Sequence, residues 1–191
     1  MKKLHVFLLA SLLSVATFSQ EKGTNDLSVA VGFGTSNEFL DILETIVTAP
    51  FGLASYANET STPAIMVTYK RALENNWFVY ADGSFESNKG DLILNNTKVG
   101  ESKRTYLTIG VGTEYHYIAN TWFQMYSGGA LALSTASSEN TSPENTQKDN
   151  TTYLNFQINA LGFRFGKALA AVVELGVGYK GFANVGLSYQ F

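Results

Sequence analysis

Strict two-residue alternation at the end of the chain constrains its fold more than any other feature. Residues 183–191 carry apolar side chains at odd positions and small or polar side chains at even positions. Successive side chains of a β-strand point to opposite faces, so this segment is predicted to be a strand with one apolar face. That face comprises Ala183, Val185, Leu187, Tyr189 and Phe191.

Seven earlier segments alternate in the same way, which predicts eight strands in all. They span residues 27–34, 64–72, 77–87, 105–117, 121–134, 152–166 and 168–178. Most of them reach the ~9–11 residues with which a tilted strand crosses a bilayer. Within residues 152–166 the apolar face shifts by one residue, and this shift predicts a β-bulge near Ala160.

The connections between these segments alternate between long and short. Residues 35–63, 88–104 and 135–151 are long connections, whereas 73–76, 118–120 and 167 are short ones. Transmembrane barrels have short turns on the periplasmic side and longer loops on the outer side. The pattern therefore predicts an up-and-down topology with the first strand starting in the periplasm. Residues 179–181 depart from it, because they make a short connection on the outer side.

The composition of the polar face decides which face lies inside the barrel. A soluble carrier barrel also alternates, but its apolar face lines the interior. Here the polar face consists mostly of Gly, Ala, Ser, Thr, Asn and Gln, and charged residues make up only 15% of the chain, against ~25% in soluble domains. Small polar side chains fit the narrow interior of an eight-stranded barrel. We therefore predict an all-β fold, an eight-stranded antiparallel up-and-down transmembrane β-barrel.

The first residues of the chain are predicted to be a secretory signal peptide. Two lysines precede an apolar run that is shorter than the ~20 residues of a membrane-spanning helix. Thr17 and Ser19 fit the small-residue positions of a cleavage site. We expect residues 1–19 to be removed, which leaves residues 20–191 as one transmembrane β-barrel domain.

Net charge and cysteine content narrow the classes of function. Removal of Lys2 and Lys3 takes the formal net charge from −3 to −5, and no basic stripe is present, which argues against a nucleic-acid partner. The chain has no cysteine, so disulfides and thiolate metal sites are excluded. No cofactor is expected.

The last two strands carry a resemblance to a known family. The ending ELGVGYKGFANVGLSYQF, together with the number and length of the strands, resembles the small eight-stranded barrels of the OmpA/OmpX-like outer-membrane superfamily. The resemblance implies a monomer in the bacterial outer membrane, surrounded by its lipid and inserted by the outer-membrane assembly machinery. In that family the closing strand is the insertion signal, which corresponds here to Val185, Leu187, Tyr189 and Phe191. The family supplies no shared catalytic residues.

Seven ionisable side chains are predicted to line the barrel interior: Lys70, Asp82, Glu86, Glu114, His116, Arg164 and Glu174. Lys70, Glu114 and Arg164 lie near the periplasmic ends of their strands, where a salt-bridge cluster is expected because a charge inside the wall needs a partner or water. Asp82 and Glu174 lie nearer mid-membrane, where acids outnumber bases. The simpler interpretation is a plugged polar core, and the alternative is a narrow cation-selective path lined by the acids.

A lipid A-modifying enzyme would need a general base beside a serine on the outer half of the barrel. After signal-peptide removal the chain has one histidine, His116, which the alternation places inside near the periplasmic end. We therefore predict that the protein is not an enzyme. Its predicted role is structural or a surface interaction at the cell envelope. The alternative is a small pore, or a transporter of hydrophobic compounds gated by the first outer loop.

The first outer loop contains apolar residues at helical spacing, preceded by a capping-box pattern of Thr35 and Glu38. A short amphipathic helix is therefore predicted there, with apolar character that continues to Tyr56. Its apolar residues are Phe39, Leu40, Ile42, Leu43, Ile46 and Val47. An exposed apolar helix needs a cover. In the simplest interpretation the predicted helix is a lid that closes the barrel mouth. The alternatives are that it lies in the outer leaflet or contacts an extracellular partner.

Overall fold

The computed structural model describes residues 22–39, 55–74, 76–94, 97–142 and 145–191. Nine strands account for most of these residues. They are β1 (Asn25–Phe33), β2 (Ser55–Ser61), β3 (Ala64–Glu74), β4 (Trp77–Leu94), β5 (Thr97–Ala119), β6 (Phe123–Thr141), β7 (Thr146–Gly166), β8 (Leu169–Gly178) and β9 (Ala183–Gln190). The predicted signal peptide lies outside the described residues and stays a prediction.

Eight of the nine strands close into an antiparallel barrel. The ring runs β1, β3, β4, β5, β6, β7, β8 and β9. It closes where β9 pairs with β1, from Asp26 opposite Gln190 to Phe33 opposite Ala183. Closure pairs each barrel strand on both sides and removes the free edges of an open sheet. The predicted eight-stranded antiparallel barrel is confirmed.

The alternation does not predict β2, which lies outside the ring. This strand pairs with the outer part of β4, from Ser55 opposite Ile93 to Ser61 opposite Asn88. The sequence pattern leaves these residues in the first outer loop, so the end of the predicted apolar loop segment is part of a strand. β2 therefore widens the outer sheet and leaves the barrel itself unchanged.

A β-bulge in β7 lies where the sequence predicts it. The register with β8 skips Ala160, between Asn159 and Leu161. The extra residue lets the apolar face continue on the outside of the barrel through Leu161. It also turns Arg164 inward, where this side chain is 2% exposed.

Apolar side chains lie outside the barrel and polar side chains lie inside, the reverse of a water-soluble fold. Leu131 and Leu154 are 62% and 71% exposed, whereas Thr108 and Ser134 are completely buried. The two buried hydroxyl groups, directly opposite each other on β5 and β6, share a hydrogen bond of 2.7 Å. This distribution is that of a transmembrane barrel, whose outward face meets hydrocarbon.

Aromatic rings gather at the inner end of the barrel. Trp77 and Tyr115 meet edge to face, with ring centroids 5.7 Å apart. Tyr189 and Phe191 stack at 5.8 Å. Such rings occupy the interface between hydrocarbon and water, so they mark the inner boundary of the apolar band.

Strands β4 to β7 are longer than the others and continue beyond the apolar band. Their outward side chains change from apolar to polar at four steps: Phe85 to Ser87, Leu107 to Thr105, Leu133 to Thr135 and Leu154 to Thr152. The residues beyond these steps form a four-stranded sheet that we call the extension: 87–94, 97–105, 135–141 and 146–152. The sequence pattern assigns most of these residues to long loops, and that prediction is wrong. Apart from the apolar residues 92–94, the extension is mostly polar on both faces, so it shows no alternation in hydrophobicity from which a strand could be recognised.

One turn of helix, residues 36–39, follows β1. One half of the predicted capping box is present, because the Glu38 amide donates a hydrogen bond of 3.1 Å to Thr35 Oγ1. The rest of the predicted helix therefore stays a prediction. Its other apolar residues lie outside the described residues: Leu40, Ile42, Leu43, Ile46 and Val47. In the described part of the chain, no helix is long and apolar enough to cross a membrane.

Candidate functional site in the barrel interior

The inner half of the barrel contains a network of buried charges centred on Lys70. The ammonium nitrogen lies 2.8 Å from Glu114 Oε2 on β5 and 3.5 Å from Glu174 Oε1 on β8. The same nitrogen is 4.6 Å from the centre of the Tyr126 ring, within cation–π distance. All four side chains are buried. Their mutual contacts offset the cost of removing three charges from water.

His116 lies between two aromatic rings beside this network. Its imidazole stacks on Phe78 and Tyr126 with centroid distances of 4.4 and 4.7 Å. Its Nε2 atom lies 2.9 Å from Glu114 Oε1. Because both faces of the imidazole are covered and the residue is buried, the ring packs against the charge network and has no room for a substrate.

Amide side chains extend the network toward the outer half of the barrel. Asn159 and Asn184 each donate a hydrogen bond of 3.1 Å to Glu174 Oε2. The Tyr126 hydroxyl donates a hydrogen bond of 2.8 Å to the other carboxylate oxygen of Glu174. Gln157 in turn donates to Asn159 Oδ1 at 2.9 Å. The carboxylate of Glu174 is therefore satisfied at both oxygens by side chains of the barrel.

Arg164 belongs to a separate layer at the inner end of the barrel. Its Nε atom lies 3.3 Å from Asp26 Oδ2 and donates a hydrogen bond of 3.0 Å to Ser188 Oγ. The expected cluster is thereby corrected: the structure brings Lys70 and Glu114 together and pairs Arg164 elsewhere. Asp26 lies one residue before the first predicted strand, so the alternation assigns it no face and sequence reasoning misses it.

Asp82 is neutralised by the last outer connection, which folds back into the barrel. Lys180 Nζ lies 2.6 Å from Asp82 Oδ2, and the Tyr179 hydroxyl lies 2.8 and 2.9 Å from the two carboxylate oxygens. Tyr179 and Lys180 are 0% and 2% exposed. Gly178 and Gly181 flank them with φ angles of 136° and 93°, which glycine adopts without strain and which let the short turn reverse into the interior.

Lys180 and Tyr179 are the interior residues that sequence reasoning misses on the outer side. The alternation ends at the last residue of β8, so it assigns no direction to the residues of the turn. The available signal was an inward carboxylate without a base, Asp82, and a lysine flanked by glycines in an unusually short outer connection. Because Lys180 pairs with Asp82, the predicted excess of acids at mid-membrane is reduced.

The start of the first outer connection lies across the barrel mouth. Glu86 accepts hydrogen bonds of 2.9 Å from the Thr35 hydroxyl and 3.2 Å from the Asn37 amide. Asn37 Oδ1 accepts hydrogen bonds of 2.7 Å from the Tyr153 hydroxyl and 3.2 Å from the Asn155 amide. Thr35 and Asn37 are both buried. This segment therefore joins the end of β1 to β4 and β7 and covers the polar interior.

The remaining predicted site residues that the structure describes lie on the outside of the protein. Those of the insertion signal are exposed and face outward at the closing strand: Val185, Leu187, Tyr189 and Phe191. Phe39 is also exposed, at the end of the described helical turn. The insertion role and the lid role of these residues stay predictions.

The interior contacts follow one another along the barrel axis, from Arg164 at the inner end to Glu86 at the outer mouth. The seven predicted interior residues are each at most 7% exposed. A wide aqueous channel would leave its lining side chains in contact with water, whereas these side chains contact each other. Within the described residues, no group of three or more His, Cys, Asp or Glu side chains could hold a metal ion. The arrangement is that of a plugged polar core.

Comparison with solved structures identifies similar barrels. Ail, the attachment invasion locus protein of Yersinia pestis, has a TM-score of 0.52 and 14% identity, over 89% of this chain and 99% of that chain. Ail in complex with the heparin analogue sucrose octasulfate has a TM-score of 0.54 and 12% identity, over 89% of this chain and 99% of that chain. The N-terminal β-barrel domain of Pseudomonas aeruginosa OprF has a TM-score of 0.44 and 12% identity, over 90% of this chain and 100% of that chain.

Sequence-based comparisons add nothing to these structural matches. No protein-family model matches the chain, and no curated protein matches it. At 12% and 14% identity, the two Ail structures establish likeness of fold alone. With its closed ring of eight strands, outward apolar band and plugged polar interior, the chain shares the small β-barrel fold of Ail.

Proposed function

We propose that this protein is a non-enzymatic outer-membrane β-barrel with a structural and surface-interaction role at the bacterial cell envelope. The observation that carries the proposal is a filled interior combined with a sheet that continues beyond the apolar band. Such a barrel anchors a rigid sheet outside the membrane and passes no solute. The proposal includes a monomer, removal of residues 1–19, and insertion by the outer-membrane assembly machinery through the closing strand.

Charge pairing in the interior favours a scaffold over a pore. Asp82 and Glu174, the acids that would line a cation path, contact the ammonium groups of Lys180 and Lys70. A permeating cation would have to displace a buried ammonium group at each position, and breaking a buried ion pair is strongly unfavourable. The hydrogen bonds between Glu86 and residues of the first outer connection cover the same path at the mouth.

Current recordings in planar lipid bilayers separate the scaffold from the pore. The refolded protein should give no channel steps, and Glu174→Ala should give none either, because the surrounding amides and Tyr126 still fill the interior. A general porin in the same membrane serves as the positive control. Steady cation-selective steps from the unsubstituted protein would replace the scaffold with the pore alternative.

The extension offers a polar surface to an extracellular partner. Lys89 on β4 lies directly opposite Lys103 on β5, and both side chains are exposed. Like charges at opposite positions of an antiparallel pair repel each other, and a bound anion would relieve that repulsion. Both lysines line an open groove of about 720 Å³ on the extension. This arrangement supports an anionic partner.

Three acidic residues, Asp91, Glu101 and Glu139, also border the groove, but each of them contacts a lysine. Lys98 Nζ lies 2.6 Å from Asp91 Oδ1, and Lys148 Nζ lies 3.2 Å from Glu139 Oε2. The hydrogen bond with Asp91 raises the pKa of Lys98 above its usual value, so this lysine keeps its charge at neutral pH.

A sulfated saccharide is the first anionic partner to test, because Ail has been solved with a heparin analogue. We expect immobilised heparin to retain the refolded protein, and we expect the Lys89→Ala/Lys103→Ala variant to elute at lower salt. Lys22→Ala is the matched control, since Lys22 is an exposed lysine at the inner end of the barrel, paired with Glu74. Equal elution of all three proteins would remove the lysine pair from the proposal.

A further inference from the structure

An open apolar groove crosses the outside of the barrel wall on strands β3 to β7. Its volume is about 1020 Å³. Small outward residues, Ala81, Thr113 and Gly129, form its floor, because larger side chains on neighbouring positions project further from the wall. The projecting residues that border it include Tyr69, Arg71, Val79, Val111, Leu131 and Ile158. We call this feature the wall groove.

The wall groove rises from the inner end of the barrel toward its middle. Strand pairing places one row of residues along it: Arg71, Val79, Thr113, Gly129 and Ile158. Arg71 lies three residues from the inner end of β3, whereas Ile158 lies eight residues from the inner end of β7. Four strand spacings make the row ~19 Å long. Because the strands of such barrels tilt by ~35–45°, the row rises by roughly 12 Å along the membrane normal, which is comparable with the ~15 Å of hydrocarbon in one leaflet, half of the ~30 Å core.

Arg71 places a positive charge at the inner end of the wall groove. It is exposed on the outward face, and its neighbours on the adjacent strands are Asn25 and Val79. The nearby carboxylate of Glu74 lies 2.9 Å from Lys22 instead. Among the outward-facing strand residues that the structure describes between the inner aromatic rings and the extension, Arg71 is the one charged side chain.

A charged side chain on the lipid face is tolerated near the membrane boundary, where its cost falls to ~0–1 kcal/mol. Arg71 can extend along the wall and keep its guanidinium group at headgroup level. A guanidinium group binds a phosphate through two parallel hydrogen bonds. The charge and the apolar groove above it therefore match the two parts of a phospholipid.

We propose that the wall groove binds one anionic phospholipid of the inner leaflet, with its phosphate on Arg71 and an acyl chain along Ala81, Thr113 and Gly129. This inference rests on the proposed membrane location and goes beyond it, because it assigns a preferred lipid to one place on the wall. The other exposed cations that the structure describes at the inner end of the barrel, Lys22 and Lys167, lie outside the wall groove.

Tryptophan quenching by brominated lipids tests the site in the folded protein. The chain has two tryptophans, and Trp122→Phe leaves Trp77, which lies on β4 two residues before Val79 of the wall groove. The protein is inserted into phosphatidylcholine vesicles that contain increasing fractions of brominated phosphatidylglycerol or brominated phosphatidylcholine. One arginine contact near the membrane surface predicts an apparent preference for phosphatidylglycerol of about fivefold.

Two substitutions and one control locate the preference. Arg71→Gln should bring the ratio of the two lipid affinities to about one, and Ala81→Phe should reduce it by filling the groove. Ala171→Phe is the control, because Ala171 is an outward alanine on β8, away from the wall groove. This control should leave the preference unchanged.

The outcomes distinguish the site from the membrane location on which it rests. If neither brominated lipid quenches Trp77, the barrel is not inserted and the proposed function itself fails. If both lipids quench equally, the barrel is inserted but the lipid site is refuted. A preference that survives Arg71→Gln, or that disappears equally in Ala171→Phe, also refutes the site.

Discussion

Replacing Lys180 by methionine removes the cation that neutralises Asp82 and should destabilise the barrel. The two charged groups are 2.6 Å apart and almost completely buried. Methionine retains an unbranched, flexible apolar side chain, so the change deletes the charge with little loss of packing. Tyr179 still donates to the carboxylate at 2.8 and 2.9 Å, but a neutral hydroxyl group does not balance a buried negative charge.

The size of the expected destabilisation follows from the distance between Lys180 and Asp82 and from their burial. Two unit charges 2.6 Å apart attract each other by about 6 kcal/mol at an effective dielectric constant of ~20. Removing one partner of a buried pair typically costs ~3–5 kcal/mol. Because Tyr179 keeps its hydrogen bond, we expect Lys180→Met to lower the free energy of unfolding by about 3 kcal/mol, at the lower end of that range.

Urea unfolding of the refolded protein in lipid vesicles, followed by tryptophan fluorescence, measures this change. Adding Asp82→Asn to Lys180→Met should recover most of the loss, because the unbalanced charge is then gone and Tyr179 can still donate to the amide oxygen. Lys22→Met is the control, since its ion pair with Glu74 is exposed and worth ~0–1 kcal/mol. A Lys180→Met variant as stable as this control would refute the reasoning, and so would a double variant less stable than Lys180→Met alone.

Three further substitutions test other parts of the structure. Gly181→Ala adds a Cβ atom against the Phe33 backbone at a φ of 93°, and it should lower the free energy of unfolding by about 1–3 kcal/mol in the same titration. Gly83→Ala is the control, because the space around its Cβ is open and the change should be neutral. Equal stability of the two variants would refute a constrained turn. Thr35→Ala removes the helix cap and the bond to Glu86 and should cost about 1–2 kcal/mol, so unchanged stability would contradict the covered mouth. Phe191→Ala should reduce the assembled fraction in cell fractionation while leaving refolding into vesicles intact; an equal loss in both would assign Phe191 to stability rather than insertion.

The barrel strands could be predicted because their cause is local. Each strand that meets lipid on one face and a narrow interior on the other repeats the same two-residue pattern, which can be read without knowing its neighbours. The bulge at Ala160 is recognised for the same reason, since one extra residue shifts the pattern by one. The inward direction of Lys70, Glu114 and Arg164 follows directly.

The extension and β2 could not be predicted from the same signal. Beyond the membrane both faces of residues 135–141 meet water or other polar groups, so the side chains no longer distinguish the faces. Their strand structure comes from backbone pairing with neighbouring strands, from Thr135 opposite Thr152 to Thr141 opposite Thr146. Such pairing depends on register, which a single polar segment does not specify.

The ion pairs of the interior depend on contacts that are distant in the sequence. Asp26 on β1 and Arg164 on β7 meet inside the barrel because the closed ring places only β8 and β9 between their strands. Lys180 reaches Asp82 because the turn after β8 reverses at two glycines with positive φ angles. Alternation predicts which strand residues face inward, but it predicts neither their partners nor the direction of turn residues.

Spin-label accessibility along β5 tests most directly the claim that the apolar face meets lipid around a filled interior. Single cysteines at the outward positions 107, 109 and 111, in a chain that has no native cysteine, would carry the label in lipid vesicles. We predict that oxygen, which dissolves in hydrocarbon, reaches the labels at Ile109 and Val111, whereas a water-soluble nickel complex does not. An unlabelled Thr108→Cys variant, a near-isosteric change at a completely buried position, should resist a water-soluble thiol reagent. Rapid reaction of that cysteine would contradict the filled interior. Protection of Ile109 and Val111 from oxygen would contradict the lipid-facing wall.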